Sequence, residues 1–386
     1  MTSMQSIWEY GISIAFITLL IPFLHYIRCL YYFEKEATLK QENFMPDITI
    51  LLPVKDEEIV ISHKLEEIMS MDYPLDKIRL LILDSQSKDE TVKVANEFLL
   101  SQNNGINYDI HIVDKPGKSF AVNHALDLIK TDFFVMLDAE AILSKKSLRD
   151  IIRWFSIDDI GGVCGQFSPQ KNDLDINYRN NFNILRAGES IIHSTPIFEG
   201  SLCAFRLSAL NGKKIDANIN SDDTQLSLLS IRHGYRSIMD KNITFTEPST
   251  GKKNRRKRQL RRSQGLIRTL IRNWDLSLKS NIKSIYLHTF FFHIMMPWLF
   301  LFSFIALIYS TYLSYDAYGI LSLDRYKISF LIFLLLSLTS IFRNFIFGIS
   351  VLIEAQILWI FGKKLNVWET NKQLRTKSVE LRKKQH

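Results

Sequence analysis

Cysteine is scarce in this chain of 386 residues: Cys29, Cys164 and Cys203 are the full set, odd in number and without a C-x-x-C pair. That excludes a disulfide-built scaffold and a cysteine-rich zinc site, and it directs the main domain to a reducing compartment. No G-x-S-x-G elbow, H-E-x-x-H pair or glycine-rich dinucleotide fingerprint occurs. The hydrolase, protease and dinucleotide chemistries carried by those motifs have no anchor here. Charge is missing where its absence says most: residues 10–27 and 284–315 contain no Asp, Glu, Lys or Arg. Averages of 47% hydrophobic and 23% charged residues, with a net charge of +8, conceal that division. The composition excludes a disordered or collagen-like chain, and the two uncharged stretches argue against a plain soluble enzyme.

A spanning helix needs about 20 predominantly apolar residues. Residues 7–32 supply one, with Glu9 near the start and Arg28 near the end. With no Lys/Arg-rich start and no small-residue cleavage site, this segment reads as an uncleaved anchor. Residues 285–313 form a second candidate span, with a kink expected at Pro297. Residues 328–362 are interrupted by Arg343-Asn344 and by Glu354. They read either as one long tilted helix or as a hairpin of two short spans. Beyond Gly362 the tail carries Lys363, Lys364, Lys372, Arg375, Lys377, Arg382, Lys383 and Lys384 against Glu369 and Glu380. The positive-inside rule puts it in the cytoplasm. A cytoplasmic central domain then needs an even number of C-terminal spans, which favours two.

Between these segments, apolar strands alternate with helical patterns. Strands are expected at 48–54 (ITILLPV), 79–83, 108–113 and 133–137, and helices within 57–69, 91–99 and 121–129. This is the pattern of an α/β domain: a mostly parallel sheet with helices on both faces. Ligands bind such sheets beyond the carboxyl ends of the strands, where Pro53, Asp84 and Asp138 fall.

Several side chains there can carry chemistry. Asp138 and Glu140 alternate at an extended strand end and share a face. Two hard oxygen ligands suit Mg²⁺ or Mn²⁺ with substrate phosphates. Asp84 can accept a hydrogen bond from a base or ribose, while Ser87 or Asp89 caps the next helix. The loop Lys115-Pro116-Gly117-Lys118-Ser119 can meet a pyrophosphate, although Ile112 stands where a P-loop needs glycine. In Ser221-Asp222-Asp223-Thr224, either carboxylate can cap a helix or act as general base towards an acceptor hydroxyl. Lys252, Lys253, Arg255, Arg256, Lys257, Arg258, Arg261 and Arg262 crowd a short run before an amphipathic stretch, Leu266 to Leu278. Next to a spanning helix, this reads as contact with anionic lipid or phosphate rather than with nucleic acid.

Together these segments resemble the membrane-bound family 2 glycosyltransferases, from about Ile48 to Gly265. ITILLPVKDEE is similar to the family's first strand and P-x-x-N-E, with Asp56 for Asn. MDYPLDKIRLLILDSQSKDET resembles its D-D-x-S-x-D-x-T segment, with Ser85 for the second Asp. KPGKSFAVNHAL looks like G-K-x-x-A-x-N, and FFVMLDAEA like the D-x-D strand, ending in Glu140. GSLCAFRLSAL, SDDTQLSLL, HGYRS and FTEPST follow in the family's order, with SDD where T-E-D is usual.

The resemblance implies a GT-A-type, Rossmann-like fold flanked by transmembrane helices. It implies a UDP- or GDP-sugar donor held at Pro53, Glu57, Asp84, Lys118 and Asp138, and Mg²⁺ or Mn²⁺ at Asp138 and Glu140. It selects Asp223 as the base and leaves Asp222, Gln259 and Arg262 on the acceptor or pyrophosphate side. Gln259-Leu260-Arg261-Arg262-Ser263 lacks the Trp of the related Q-x-x-R-W motif.

The implied layout is an anchor over 1–33, a catalytic domain over 34–265 and an amphipathic interfacial segment over 266–284. A membrane region follows over 285–362, then a basic cytoplasmic tail over 363–386. The implied activity is inverting sugar transfer to a lipid-linked or membrane-proximal glycan acceptor, in contact with membrane lipids and not with nucleic acid, on a multi-pass protein of the cell membrane. Two alternatives stand beside it: a processive polysaccharide synthase that also exports its polymer, and a non-catalytic membrane scaffold with a degenerate transferase domain.

Overall fold

The computed structural model describes residues 2–35, 43–102, 105–168, 176–248, 252–279, 281–319, 324–365 and 372–385. Ser249 and Thr250 of the FTEPST segment, and Glu369 of the basic tail, lie outside the described residues.

Four strands fall where the apolar runs place them. β1 (Ile48–Val54), β2 (Ile78–Asp84), β3 (Asn107–Ile112) and β4 (Phe133–Leu137) are mutually parallel, in the order β3-β2-β1-β4. Every residue of β1 and β4 is buried, so side chains of both parities need cover. Ile48, Ile50, Leu52 and Val54 face one core, with α2 (Ile61–Met69) and α3 (Thr91–Ser101) packed over it through Ile61, Leu65, Ala95 and Leu99. Leu51, Leu81, Phe134 and Met136 face the other, under α4 (Lys118–Leu126) and α7 (Asp222–Arg232), which contribute Ala121, Ala125 and Leu226. Alternation along a strand assigns each residue to its layer.

Four further strands extend the sheet: β5 (Ile142–Leu143), β6 (Ile160–Phe167), β7 (Leu202–Arg206) and β8 (Arg236–Thr246), in the full order β3-β2-β1-β4-β7-β6-β8-β5. β7 runs antiparallel to β4 and β6, and β5 antiparallel to β8, while β6 and β8 are parallel. The sheet is mostly parallel, with a mixed C-terminal half. A short helix, α5 (Ser147–Ile152), links β5 to β6 and buries Leu148 and Ile151.

Among the described residues, three helical segments are long and apolar enough to cross a membrane: 5–33, 283–317 and 340–360. The first lies in α1 (Thr2–Phe33), whose outer face exposes Phe16, Leu19 and Phe23. The second joins α9 (Lys283–Phe290) to α10 (Met296–Tyr318) through a π turn at Phe291–Met295. The ladder widens just before Pro297, where a hydrogen-bond donor is lost.

Residues 328–362 divide between α11 (Arg325–Ser337) and α12 (Ser340–Ile360). Both run antiparallel to α10, in one continuous register. Thr311 Oγ1 donates to the Tyr326 carbonyl at 3.4 Å, Phe304 meets Phe333, Phe300 meets Phe345, and Trp298 Nε1 donates to Gln356 at 3.0 Å. The region is therefore one broken limb and not a hairpin, so two limbs follow the catalytic domain.

α1 packs on both α10 and the catalytic domain. Ser303 Oγ donates to the Gly11 carbonyl at 2.7 Å, and a Cβ on Gly11 would press on Ala306. On α6 (Ile176–Ile192), Gly188 lies against the Cys29 backbone with no room for a side chain. Beside it, His25 pairs with buried Glu189 at 3.1 Å. The basic run belongs to a 21-residue helix, α8 (Lys252–Arg272), which continues unbroken across the expected boundary at 265/266. Leu260 and Ile267 of α8 pack on Val351, Leu352 and Ala355 of α12.

Candidate active site

The loops at the carboxyl ends of the parallel strands are stitched together by side chains. Asp56 takes a positive φ of 51°, a conformation that short polar residues tolerate. Its carboxylate accepts from the Lys88 amide at 2.7 Å. The Glu57 amide donates to Thr91 Oγ1 at 2.6 Å, and the Gly117 amide to Ser85 Oγ at 2.6 Å. Asp84 is 3% exposed, and its carboxylate closes its own turn by accepting from the Ser87 amide and hydroxyl. These contacts fix the carboxylate in place and leave it further lone pairs, since two oxygens offer about four acceptor sites. Asp89, rather than Ser87, accepts from the Thr91 amide at the start of α3, at 3.1 Å.

Above these loops lies a cleft of about 1540 Å³. Among the residues singled out from sequence, Pro53, Glu57, Lys118, Asp138, Glu140, Asp222, Asp223, Gln259 and Arg262 all line it, and Asp84 does not. Lys118 is the central cation. Its Nζ stands 2.7 Å from Asp138 Oδ1, 3.4 Å from Asp222 Oδ2 and 3.3 Å from the Gly200 carbonyl. Burial alone would lower Lys118, but Asp138 and Asp222 outweigh it and hold the ammonium charged. Asp223 opens α7 and accepts from the Thr224 amide at 2.7 Å. Burial first, then the neighbouring Asp222, push its carboxyl up to about 7, against the pull of Lys118. Gly200 leaves room for this arrangement, because a Cβ there would meet Asp223 Oδ2 at 3.1 Å and Lys118 Nζ at 3.3 Å.

Four further positions join this arrangement, and of these only Arg258, in the basic run read as contacting anionic lipid or phosphate, had a role assigned from sequence. Ser201 Oγ donates to Asp138 Oδ2 at 3.0 Å and also to Glu247. Arg258 of α8 pairs with Glu247 at 2.7 Å. Burial favours the neutral form of Glu247, but Arg258, Arg262 and Arg179 hold it well below the usual carboxylate range. Arg262 is lowered to about 10, chiefly by Arg258 and then by burial. The fourth is Arg375, from α13 (Lys372–Gln385), which pairs with Glu57 through two contacts of 2.6 Å. The expected basic tail is, over 372–385, a helix docked on the catalytic domain. Its buried residues are Arg375, Ser378 and Arg382 with Leu374 beside them, so a hydropathy pattern does not reveal it.

The donor set fits a hard divalent cation: the carboxylates of Asp138 and Glu140 both line the cleft. Burial, with Glu247 and Asp138, pushes Glu140 up against the pull of Arg258. A bound cation would relieve this crowding of negative charge. Opposite stand Arg255, Arg258, Arg261 and Arg262, suited to phosphate oxygens. The same cleft is also lined by apolar side chains from the candidate spans and the π turn, Phe23, Tyr26, Phe292, Met296, Phe345 and Phe347, the last with the Arg255 guanidinium 4.9 Å from its ring centre.

Two family models match the sequence. "Glycosyl transferase family group 2" covers residues 133–353 and "Glycosyl transferase family 2" covers 49–212. "Probable glycosyltransferase YdaM" of Bacillus subtilis is 27% identical over 155 residues, 38% of this chain and 34% of that protein. A dolichyl N-acetyl-α-D-glucosaminyl phosphate 3-β-D-2,3-diacetamido-2,3-dideoxy-β-D-glucuronosyltransferase of Methanococcus voltae is 26% identical over 162 residues, 40% of this chain and 46% of that protein. The chain thus spans less than half the length of these two relatives. In structure, it is similar to the mannosyltransferase PcManGT of Pyrobaculum calidifontis in complex with GDP-Man and Mn²⁺. The TM-score is 0.80 at 22% identity, over 93% of this chain and 100% of that one.

Proposed function

The chain belongs to the family 2 glycosyltransferases, and from that premise we propose that it transfers a sugar, with inversion, from a UDP- or GDP-sugar to a lipid-linked or membrane-proximal glycan acceptor. The observation that carries this reading is one cleft lined by two chemistries, carboxylates and arginines together with aromatic side chains from α1 and α12. A nucleoside diphosphate suits the first, and a lipid tail suits the second. The reading places the catalytic domain in the cytoplasm, held at the membrane by three spans.

Each residue has a task under this reading. A divalent cation at Asp138 and Glu140 supplies charge neutralisation at the diphosphate. Lys118 holds Asp138 and Asp222 in register and adds positive charge beside the leaving group. Asp223 takes the proton of the acceptor hydroxyl as its oxygen bonds to the anomeric carbon and the carbon–diphosphate bond breaks. A carboxylate raised to about 7 is a competent base near neutral pH. Arg258 and Arg262 face the phosphate of the donor or of a lipid-linked acceptor.

The test is a screen of nucleotide sugars in membranes containing the protein, with Mg²⁺ or Mn²⁺ and extracted lipid acceptors. Metal-dependent transfer into a lipid fraction is expected. Transfer to soluble sugars alone would overturn the acceptor assignment. No turnover of any donor, with Asp138→Asn behaving like the parent, would overturn the enzymatic reading.

A further inference from the structure

We propose that the C-terminal helix α13 is a clamp on the donor site, with Arg375 and Arg382 as positioning residues for Glu57 and Glu140. The proposal rests on the donor-site reading above. It concerns a segment beyond both family-model matches, which end at 212 and 353.

Arg375, Ser378 and Arg382 recur at helical spacing and share one buried face. Arg375 reaches the loop after β1. It donates to both Glu57 oxygens at 2.6 Å and to the Lys55 carbonyl at 2.9 Å. Ser378 and Arg382 reach the loop after β4. Ser378 Oγ donates to the Glu140 carbonyl at 2.8 Å. Arg382 Nη2 donates to the carbonyls of Ala139 at 2.9 Å and Ala141 at 2.7 Å. Three consecutive carbonyls are therefore taken up by one helix face. Arg382 Nε also reaches Glu67 at 3.1 Å, and fully buried Lys64 completes the set with contacts to Glu67 and to the Ala141 carbonyl.

This geometry has a specific consequence. The loop after β4 carries Asp138 and Glu140, and the end of β1 with the loop after it carries Pro53 and Glu57. α13 joins the two at the cleft wall, which its first turn, through Arg375, helps to line, and it does so through groups that are nearly dry: the Arg375 and Glu57 side chains are 5% and 7% exposed. A guanidinium fork fixes a carboxylate in angle as well as distance. With its carbonyls engaged from behind, the Glu140 loop is left with its side chain on the cleft wall. The clamp presets the donor site rather than plugging it.

The experiment uses the full-length protein in detergent and compares Arg375→Ala, Arg375→Lys and Arg382→Gln with the parent. Three quantities are read: donor KM against kcat, the Mn²⁺ concentration for half-maximal nucleoside diphosphate binding, and hydrogen exchange at 55–58 and 138–141. Supporting groups of this kind are worth roughly 10–100-fold in metal affinity or activity. Arg382→Gln is expected to weaken Mn²⁺ binding by about that factor, and Arg375→Ala to raise KM roughly tenfold with little change in kcat. Arg375→Lys should recover part of the loss, because it restores the charge without the fork. Both loops should lose exchange protection while β1 and β4 keep theirs.

Unchanged KM and Mn²⁺ binding, with only a lower unfolding temperature, would reduce α13 to structural cover and overturn the proposal. Tighter donor binding in Arg375→Ala would also overturn it, in favour of a plug. If Arg375→Ala fails to fold, Arg375→Lys and Arg382→Gln decide. If the parent binds no nucleotide, the donor-site reading fails, and hydrogen exchange alone decides the clamp. Lost protection at 138–141 in Arg382→Gln supports it, and unchanged protection overturns it.

Discussion

Lys118 Nζ stands 2.7 Å from Asp138 Oδ1, joining the first residue of α4 to the residue just past β4. Asp222 Oδ2, at the start of α7, is 3.4 Å from the same ammonium. One cation thus organises carboxylates from two elements that meet only in the folded chain. Those carboxylates have different expected tasks, so their substitutions are expected to fail in different ways.

Asp138→Asn removes a charged ligand and half of the Lys118 pairing. Turnover should fall below detection, and nucleotide affinity in Mn²⁺ should weaken by about 10–100-fold. Excess EDTA should do the same to the parent. Titration of nucleoside diphosphate with and without Mn²⁺ checks both, and EDTA-insensitive activity in the variant would remove the metal site.

Asp223→Asn should lower kcat by about 10²–10⁴-fold, the usual contribution of a general base, with little change in donor affinity. The raised carboxyl gives the sign of the pH dependence. The base works ionised, so kcat should fall as pH drops below about 7. That limb should vanish in Asp223→Asn. Asp222→Asn should cost less in kcat and keep the limb. The reverse order would shift the base to Asp222.

Gly188→Val forces two methyl groups and a β-carbon against the Cys29 backbone. Overpacking of this kind costs about 1–3 kcal/mol or more. The variant should unfold at a lower temperature in detergent, and its first 33 residues should be cut sooner by protease. A melting curve superimposable on the parent's would show that α1 and α6 do not meet in this way.

Topology is open to cysteine labelling, because all three native cysteines are buried. A cysteine in place of Asp316, near the outer end of α10, should react with an impermeant reagent on intact cells. One in place of exposed Lys383 should react only after lysis. Labelling of both positions on intact cells would require an odd number of crossings after the catalytic domain.

Much of this was legible in the sequence, for physical reasons. ITILLPV and FFVML are fully buried strands, and such strands read as unbroken apolar runs. The helix expected within 57–69 starts only at Ile61, because the amides of Asp56, Glu57 and Glu58 are committed to side chains after β2. β6 escaped because its Gly161, Gly162 and Gly165 dilute the strand signal. A Cβ on Gly161 would overlap Ser230 and Tyr235, so close packing there needs glycine. α13 escaped for the opposite reason: apart from Leu374, its buried residues are Arg375, Ser378 and Arg382, which pattern reading sends to solvent. Nine of the ten site residues reached the cleft because motifs at strand ends inherit their geometry from the sheet. Asp84 has the same kind of position but is buried beneath the cleft lining, where it accepts from Ser87.

The close seats at Gly11 and Gly188 bind α1 to α10 and to α6 along its length, so it is packed into the body and not held on a tether. Under the proposed membrane reading, the cleft would then keep one height over the lipid surface, and the reach of an acceptor would become a criterion of selection beside its sugar.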